Sequence, residues 1–542
     1  MLLTDIFRQI LALPGNSRPL PRAVAGLEIR RIEADSRRVR PGDLFVAVRG
    51  AVVDGRHYIG DAVANGAVAV LAPVGTHWPA DVPPRVLLID PEPRRLMAQI
   101  AAVLARVRPE TVVAVTGTNG KTSTVEFLRQ FWTLDGRQAA SIGTLGTIAP
   151  GYPPGPGLTT PDPVRLAETL ADFARQGIQH VAMEASSHGL DQYRLDGVRL
   201  AAAGFTNLTR DHLDYHMTMA SYRAAKLRLA GALLPPRSPL IAHDGMDPVT
   251  LEALRSAAIA RRLHFHTVGN SGSLFRLISA TPRPDGQDLV LEIAGARRDV
   301  RLNLPGRFQA DNMLVAAGLG FVLGLDTILD LAPRLTGVRG RMELAARLPN
   351  GAAAYVDYAH TPDALERLLG ALRPHTEGKL HLVFGAGGDR DRGKRPLMGQ
   401  AAARFADRVI VTDDNPRGEA AEAIRADVLK GCPGAREIGD RAKAIEAALN
   451  DLGPGDVLAV AGKGHEQGQI VAGVVHPFDD VSAIRALVGT MPPGTQLPGT
   501  QLPGTQLPGT QPPGTQPPRT MSPGTQPPGT QPPGAQPRGT AP

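Results

Sequence analysis

Cysteine is almost missing: Cys432 stands alone in 542 residues. That excludes an internal disulfide and a cysteine-built zinc site, and it fits a reducing, cytoplasmic setting. Aromatic residues make up only 4% of the chain, and no apolar run approaches the roughly 18 residues that span a bilayer. The opening MLLTDIFRQILALPG has neither a basic start nor a long apolar stretch, so neither secretion nor membrane insertion is expected. Clustered charge is lacking too. The 59 Lys and Arg against 52 Asp and Glu give +7, but they are scattered, which suits anionic small substrates at least as well as nucleic acid. What is present is an ordinary globular balance, 42% apolar and 20% charged, in a length that corresponds to three or four domains at roughly 150 residues each.

Composition breaks most sharply near residue 490, where Met491 opens a segment in which PGTQ occurs seven times. Rich in Pro and Gly and with only Arg519 and Arg538 charged, 490–542 has too little apolar surface to offset its chain entropy. A disordered, partly polyproline-II tail is expected, either a tether or a dispensable repeat expansion. From residue 27 to about 489, short β-branched runs alternate with Ala- and Leu-rich helical stretches, the pattern of parallel α/β units. Seven runs end in polar or glycine-rich loops: 112–115, 181–183, 202–205, 354–356, 380–384, 409–412 and 457–461. Ligands collect at the carboxyl ends of strands in open α/β sheets, so these loops predict one multi-part site. Borders are expected near Pro109, before a new strand and phosphate loop, and near residue 340, after Pro333 and the glycines of TGVRGRME. The expected domains are therefore 1–108, 109–339 and 340–489.

TGTNGKT at 116–122 lies between a β-rich run and a helical one. A glycine-rich turn there lets backbone N–H groups face a phosphate at a helix N-terminus, with Lys121 as point charge and Thr122 as a potential Mg2+ ligand. Val115 stands where the usual phosphate loop has glycine. Glu184 ends an apolar strand, where a carboxylate needs a cation or a hydrogen-bond network, so it either coordinates Mg2+ or faces solvent. Ser186, Ser187 and His188 form no serine-hydrolase signature, because no G-x-S-x-G elbow is present. Asp211, His212, Asp214 and His216 are densely placed, and a phosphate or Mg2+ role for His212 fits better than a transition-metal site. Lys226, in the helical SYRAAKLRL, reads from composition as a solvated lysine. Arg341, Asp357 and the loop 385–395 offer charge complementary to ATP and to an acid. Arginine in DDNPR at 413–417 suits bidentate capture of a carboxylate, and Glu466 in GKGHE suits an ammonium group, unless both are simply solvated loop charges.

In this order, GTNGKT, TTPD, MEASSHGLDQYR, TNLTRDHLDYH, YRAAK, GRME, DYAHTPD, GGDRDRGKRPLM, DDNPR and GKGHE resemble the Mur ligases of peptidoglycan synthesis over roughly residues 25–489. The resemblance is to the branch that adds diaminopimelate to a UDP-N-acetylmuramoyl dipeptide. It implies an N-terminal domain for the UDP-sugar, a central P-loop ATPase-like domain and a C-terminal Rossmann-like domain for the incoming amino acid. ATP phosphates would lie on Thr116, Gly117, Thr118, Asn119, Gly120, Lys121 and Thr122, with Asn312, Arg341 and Asp357 as further nucleotide contacts. Catalysis would rest on Lys121, Glu184, His212 and Lys226. Glu184 and His212 would serve Mg2+, and the resemblance reverses the reading of Lys226, whose carbamate would support a second Mg2+. Ser36, Thr159, Thr160, Ser186, Gln192 and Arg194 would hold the UDP-precursor. Arg390, Asp414, Asn415, Pro416, Arg417, Gly462 and Glu466 would hold diaminopimelate. Ala51, Val52 and Leu158 depart from the family at the substrate end, and the PGTQ segment has no counterpart in it.

The implied chemistry is ATP-driven activation of the D-glutamyl γ-carboxylate as an acyl phosphate, followed by attack of the diaminopimelate amine. A cytoplasmic monomer with small-molecule partners, no nucleic acid and no membrane insertion is expected. Three rivals stand beside it: a lysine-adding ligase of the same family, against which DDNPR argues; a folylpolyglutamate synthase, which gives no reason for a UDP-sugar domain; and a P-loop regulatory or nucleic-acid-binding ATPase, which leaves the C-terminal arginine and glutamate loops without a ligand.

Overall fold

The protein is described here from a computed structural model covering residues 1–12, 26–50, 53–152, 157–283 and 285–489. The expected tail and the departures at Ala51 and Val52 lie outside the described residues. Everything described falls in one compact unit, within Met1–Leu497. Three large sheets follow one another along the chain, and a two-stranded antiparallel ribbon, Gly468–Val471 with Val474–Pro477, follows the last strand of the third.

The first sheet has four parallel strands in sequence order, Ile32–Glu33, Leu44–Val46, Ala69–Pro73 and Val86–Asp90. Leu3–Leu11 and Pro93–Ala105 bury their apolar stripes on one face, and Ile59–Ala64 packs on the other. With both faces covered, the strands can be apolar runs without alternation.

The second sheet has ten strands. Across it run Ala296–Leu302, Gly286–Ile293, Phe275–Arg283, His264–Gly269, Pro239–His243, Ala202–Phe205, Thr111–Thr116, His180–Glu184, Ala139–Gly143 and Gly146–Ile148. Its six middle strands, from His264–Gly269 to Ala139–Gly143, are parallel, as expected from the alternating pattern. The three strands from Phe275 to Leu302 instead form an antiparallel meander. Their sequence alternates, with Phe275, Leu277, Leu289, Leu291, Val300 and Leu302 buried. Ala294 and Gly295, at φ +50° and +82°, join two of these strands as the tight turn such hairpins favour.

The third sheet runs Glu343–Arg347, Ala353–Asp357, Val457–Ala461, Leu380–Phe384, Arg408–Val411 and Arg436–Glu437. Its first strand is antiparallel and the rest are parallel. Val457–Ala461 comes last in the chain among these strands yet inserts between two earlier ones. Its tip therefore adjoins the tips that end at Asp357 and Phe384. Such a switch in strand order opens a crevice at the carboxyl ends. All seven expected strand runs are strands, and their tips carry the side chains described next.

Candidate functional site

Strand Thr111–Thr116 feeds the glycine-rich turn, and Lys121–Leu134 is the helix that follows it. Two glycines are required for contact rather than for turning alone. A Cβ on Gly117 would come within 1.9 Å of Thr206 Oγ1, and one on Gly120 within 2.1 Å of Asn312 Oδ1. Asn312, on the buried helix Arg307–Val322, thus closes one side of the turn. The segment after Ala202–Phe205 clamps the other side. Thr206 Oγ1 and Asn207 Nδ2 donate to Asn119 O at 2.6 and 3.1 Å, and Asn119 N donates to Asn207 Oδ1 at 2.9 Å. Lys121 Nζ folds back over the turn, donating to Gly117 O at 3.0 Å and Thr118 O at 2.9 Å. Loss of solvent around this amine lowers its pKa, Glu184 opposes the shift and Arg341 adds to it.

Glu184 does not face solvent; it is 1% exposed. Thr122 Oγ1 and Thr144 N donate to its Oε1 at 2.9 and 2.8 Å, and Thr144 Oγ1 donates to Oε2 at 3.2 Å. Thr159 Oγ1 lies 3.1 Å from Thr144 Oγ1. Gly143 leaves the room, since a Cβ there would sit 2.2 Å from Glu184 Oε1. A carboxylate among three threonine hydroxyls is a hard-oxygen donor set of the kind Mg2+ takes.

Lys226, on helix Met219–Arg228, is 3% exposed, which corrects the solvated reading taken from composition. Its Nζ donates to Gly117 O at 2.7 Å and to Thr116 Oγ1 at 3.4 Å, over the Tyr222 ring. Burial drives its pKa well below the ordinary lysine value, and neighbouring Lys121 pushes the same way. Tyr222 OH is 3.1 Å from Thr118 Oγ1, so this helix reaches the phosphate turn twice. His212, at φ +51°, is half exposed, beside Asp211 and 5.1 Å from the His188 ring centroid. His188, Tyr215, His216 and Tyr222 continue the ring cluster. His212 packs against His188, Tyr222 and Asp211 and not against Glu184, and among the described residues no three His, Cys, Asp or Glu groups converge as a metal cage.

The precursor-side residues converge around Thr160. Its Oγ1 donates to Glu184 O at 2.8 Å and accepts from Ser186 N at 2.9 Å. Arg194 donates to Thr160 O at 2.6 Å and to Gln192 Oε1 at 2.8 Å. Ser36 lies apart from them in the first sheet's domain, buried, with its carbonyl held by Asn65 at 3.0 Å. Leu158 is exposed.

At the third sheet's tips, Asp357 accepts from Met342 N at 2.7 Å and Ala359 N at 2.8 Å. Burial raises its pKa, and the Arg341 guanidinium opposes that. Arg341 also stacks on Tyr358, 4.9 Å from the ring centroid, and it acts electrostatically on Lys121. The 413–417 loop packs against the loop after Val457–Ala461. A Cβ on Gly462 would come within 2.4 Å of Asp414 Oδ2, and Asn415 Nδ2 donates to Glu466 Oε2 at 2.9 Å. Pro416 O packs so close to Gly388 that no side chain fits there. Arg417 Nη1 donates to Gly388 O at 2.8 Å. Arg390 is exposed on the facing loop.

Sequence reading missed Thr144, which anchors Glu184, and Lys463, which is fully buried between Asn415 and Glu466. It also missed Arg441 and Asp480, a buried pair joined at 2.7 Å beneath the same loops. The signal for Lys463 was its place inside GKGHE; Thr144 sits in a stretch with no such pattern.

Three family models match the chain: Mur ligase family, catalytic domain at residues 28–103, Mur ligase middle domain at 115–320, and Mur ligase, glutamate ligase domain at 340–464. The UDP-N-acetylmuramoyl-L-alanyl-D-glutamate–2,6-diaminopimelate ligase of Caulobacter vibrioides is 53% identical over 470 residues, covering 85% of this chain and 96% of the relative. A solved structure of a ligase with that same activity in its name is 34% identical, with a TM-score of 0.65, over 85% of this chain and 95% of its own. A MurF ligase from Thermotoga maritima, solved in complex with ADP, shares the fold at 19% identity, with a TM-score of 0.56, over 85% of this chain and 98% of its own.

Proposed function

This chain belongs to the Mur ligase family, and from that membership we propose how it works as the ATP-dependent ligase joining 2,6-diaminopimelate to UDP-N-acetylmuramoyl-L-alanyl-D-glutamate. The observation that carries the reading is the pairing of two strand-tip sites: a phosphate turn held by Asn312 and Lys121, and a C-terminal crevice in which the 413–417 loop meets Glu466 through Asn415. The UDP-substrate is assigned to residues 1–108, ATP to 109–339 and the amino acid to 340–489.

Backbone N–H groups of the turn and the start of Lys121–Leu134 cradle the ATP phosphates. The D-glutamyl γ-carboxylate attacks the γ-phosphorus, and ADP leaves, giving an acyl phosphate. The diaminopimelate amine then adds to the acyl carbon, loses a proton, and the tetrahedral intermediate expels phosphate to leave an amide. Two anions meet in the first step, so Lys121 supplies positive charge where it accumulates. Thr122 and Glu184, positioned by Thr144 and Thr159, would hold Mg2+, with His212 and carbamylated Lys226 at its margin. Bound there, Mg2+ neutralises phosphate charge. Thr160, Ser186, Gln192 and Arg194 orient the precursor's peptide, and Ser36 its uridine end. Arg341 and Asp357 bring the third sheet onto the nucleotide and exclude water. Because two of its substrates, ATP and the UDP-precursor, are nucleotides, the reading includes a cytoplasmic enzyme.

Incubation with ATP, Mg2+, the UDP-precursor and either meso-diaminopimelate or L-lysine tests this reading. The tripeptide product is expected with diaminopimelate. ATP hydrolysis without any amide product would favour the P-loop ATPase reading instead.

Thr144→Val removes a hydroxyl that orients the Glu184 carboxylate. Losing such an outer partner typically weakens a metal site about tenfold or more, so the Mg2+ concentration for half-maximal rate is expected to rise accordingly. An unchanged Mg2+ dependence would place the metal elsewhere. Every proposed site residue lies between Ser36 and Glu466, so a chain ending at Val488 is expected to keep full activity and Tm. A more than few-fold loss of activity would show that the PGTQ segment takes part.

A further inference from the structure

Lys463 is 0% exposed, and its ammonium meets two of the residues assigned above to the acceptor. Its Nζ donates to Asn415 Oδ1 at 3.0 Å and lies 3.4 Å from Glu466 Oε2. Asn415 Oδ1 also accepts from Ile470 N at 2.9 Å, so the amide oxygen faces two donors and its Nδ2 must face Glu466 Oε2, at 2.9 Å. One side of the Glu466 carboxylate is thereby fixed. No described residue donates to its Oε1.

A second acid lies close to this group. Burial raises the pKa of Asp414 and Glu466 reinforces the rise, while Arg441 and Lys463 oppose it; Asp480, also near, is engaged by Arg441. Glu466 in turn faces Tyr358, His465 and Arg441 besides Lys463. Arg441 spends its hydrogen bonds on Asp480 and on Asp413 O and Ala461 O, which leaves Lys463 as the ammonium in contact with Glu466.

On the reading of this crevice as the amino-acid site, we propose that Lys463 is a positioning residue for the acceptor: it holds the Asn415 amide and the Glu466 carboxylate in the arrangement that receives the acceptor's ammonium group. Without it, Asn415 Oδ1 and Glu466 Oε2 lose the donor they share, and the carboxylate is no longer held where it meets an ammonium.

Steady-state kinetics on the full chain test this with Lys463→Met and Lys463→Gln, the latter keeping a donor for Asn415 without the charge. For Lys463→Met the KM for meso-diaminopimelate is expected to rise about thirtyfold or more, with the KM values for ATP and the UDP-precursor and the kcat at saturating acceptor unchanged. Lys463→Gln should give an intermediate KM, and it carries the test should Lys463→Met not fold. An unchanged acceptor KM in a folded variant overturns the proposal, as does a loss confined to kcat or spread over all three substrates. Wild type that forms no product with diaminopimelate would overturn the reading of the crevice itself, which separates the two failures.

Discussion

Lys226→Ala is expected to lower ligase turnover roughly a hundredfold or more, the scale on which removal of one charge-stabilising group acts in a transferring site. The side chain is buried under the phosphate turn and its amine is held by Gly117 O at 2.7 Å. Burial favours the uncharged amine, and an uncharged amine is what can add to the carbon of CO2, losing a proton to become a carbamate. The remaining N–H of a carbamate still donates to Gly117 O, while its two oxygens bring negative charge to a place where an ammonium would repel Mg2+. Alanine leaves a vacancy of about that size, so formate or acetate at high concentration should restore part of the rate. Protonation competes with carbamylation: as pH falls through the lowered amine pKa the ammonium form wins, and wild-type activity at limiting bicarbonate should fall with it. Turnover of the alanine variant at the wild-type rate would reduce Lys226 to a structural prop of the turn.

Lys226 also marks what sequence could and could not convey. Periodicity placed it on a helix, which was right, but a helix alone does not say which face is buried. Its burial comes from long-range packing of Met219–Arg228 against the turn more than a hundred residues earlier, and only the family resemblance pointed that way. Strand runs ending in glycine or acid were legible because parallel strands buried on both faces are apolar runs with abrupt polar ends. The antiparallel meander from Phe275 to Leu302 was not separated from them, although its alternation is visible once attention turns to it. Thr144 was invisible for a different reason. A threonine carries no chemical signature, and its function arises from being opposite Glu184, 40 residues away in the chain. Arg441 and Asp480 were likewise ordinary charges until folding stripped them of water.

Arg417→Ala is expected to raise the KM for meso-diaminopimelate by about thirtyfold to several thousandfold, corresponding to the roughly 2 to 5 kcal/mol that removing one partner of a buried charge pair costs. ATP and UDP-precursor binding should be untouched. The geometry is what supports the choice of this arginine for the test. Its backbone is pinned in the left-handed region at φ +54°, with Arg417 N donating to Ile470 O at 2.9 Å and Ala472 N donating to Arg417 O at 2.7 Å. Gly387 leaves room for the guanidinium, since a Cβ there would meet Nη1 at 2.8 Å. Nη1 is committed to Gly388 O and Asn415 O, at 2.8 and 3.5 Å, and no described residue accepts from Nε or Nη2. Those two N–H groups form the edge of the guanidinium that matches a carboxylate in bidentate fashion. Diaminopimelate and lysine differ at the far end by that one carboxylate. With lysine bound, the edge would face a partly desolvated space with nothing to accept its hydrogen bonds, and sites of this kind reject the deficient analogue by about ten-thousandfold when fully dry. Arg417 is half-buried and keeps some water, so a preference of about a thousandfold is expected in kcat/KM. Kinetics on both acceptors with wild type and variant decide it. Wild type that uses L-lysine as efficiently as diaminopimelate, or a variant that handles diaminopimelate normally, would remove the carboxylate from this loop.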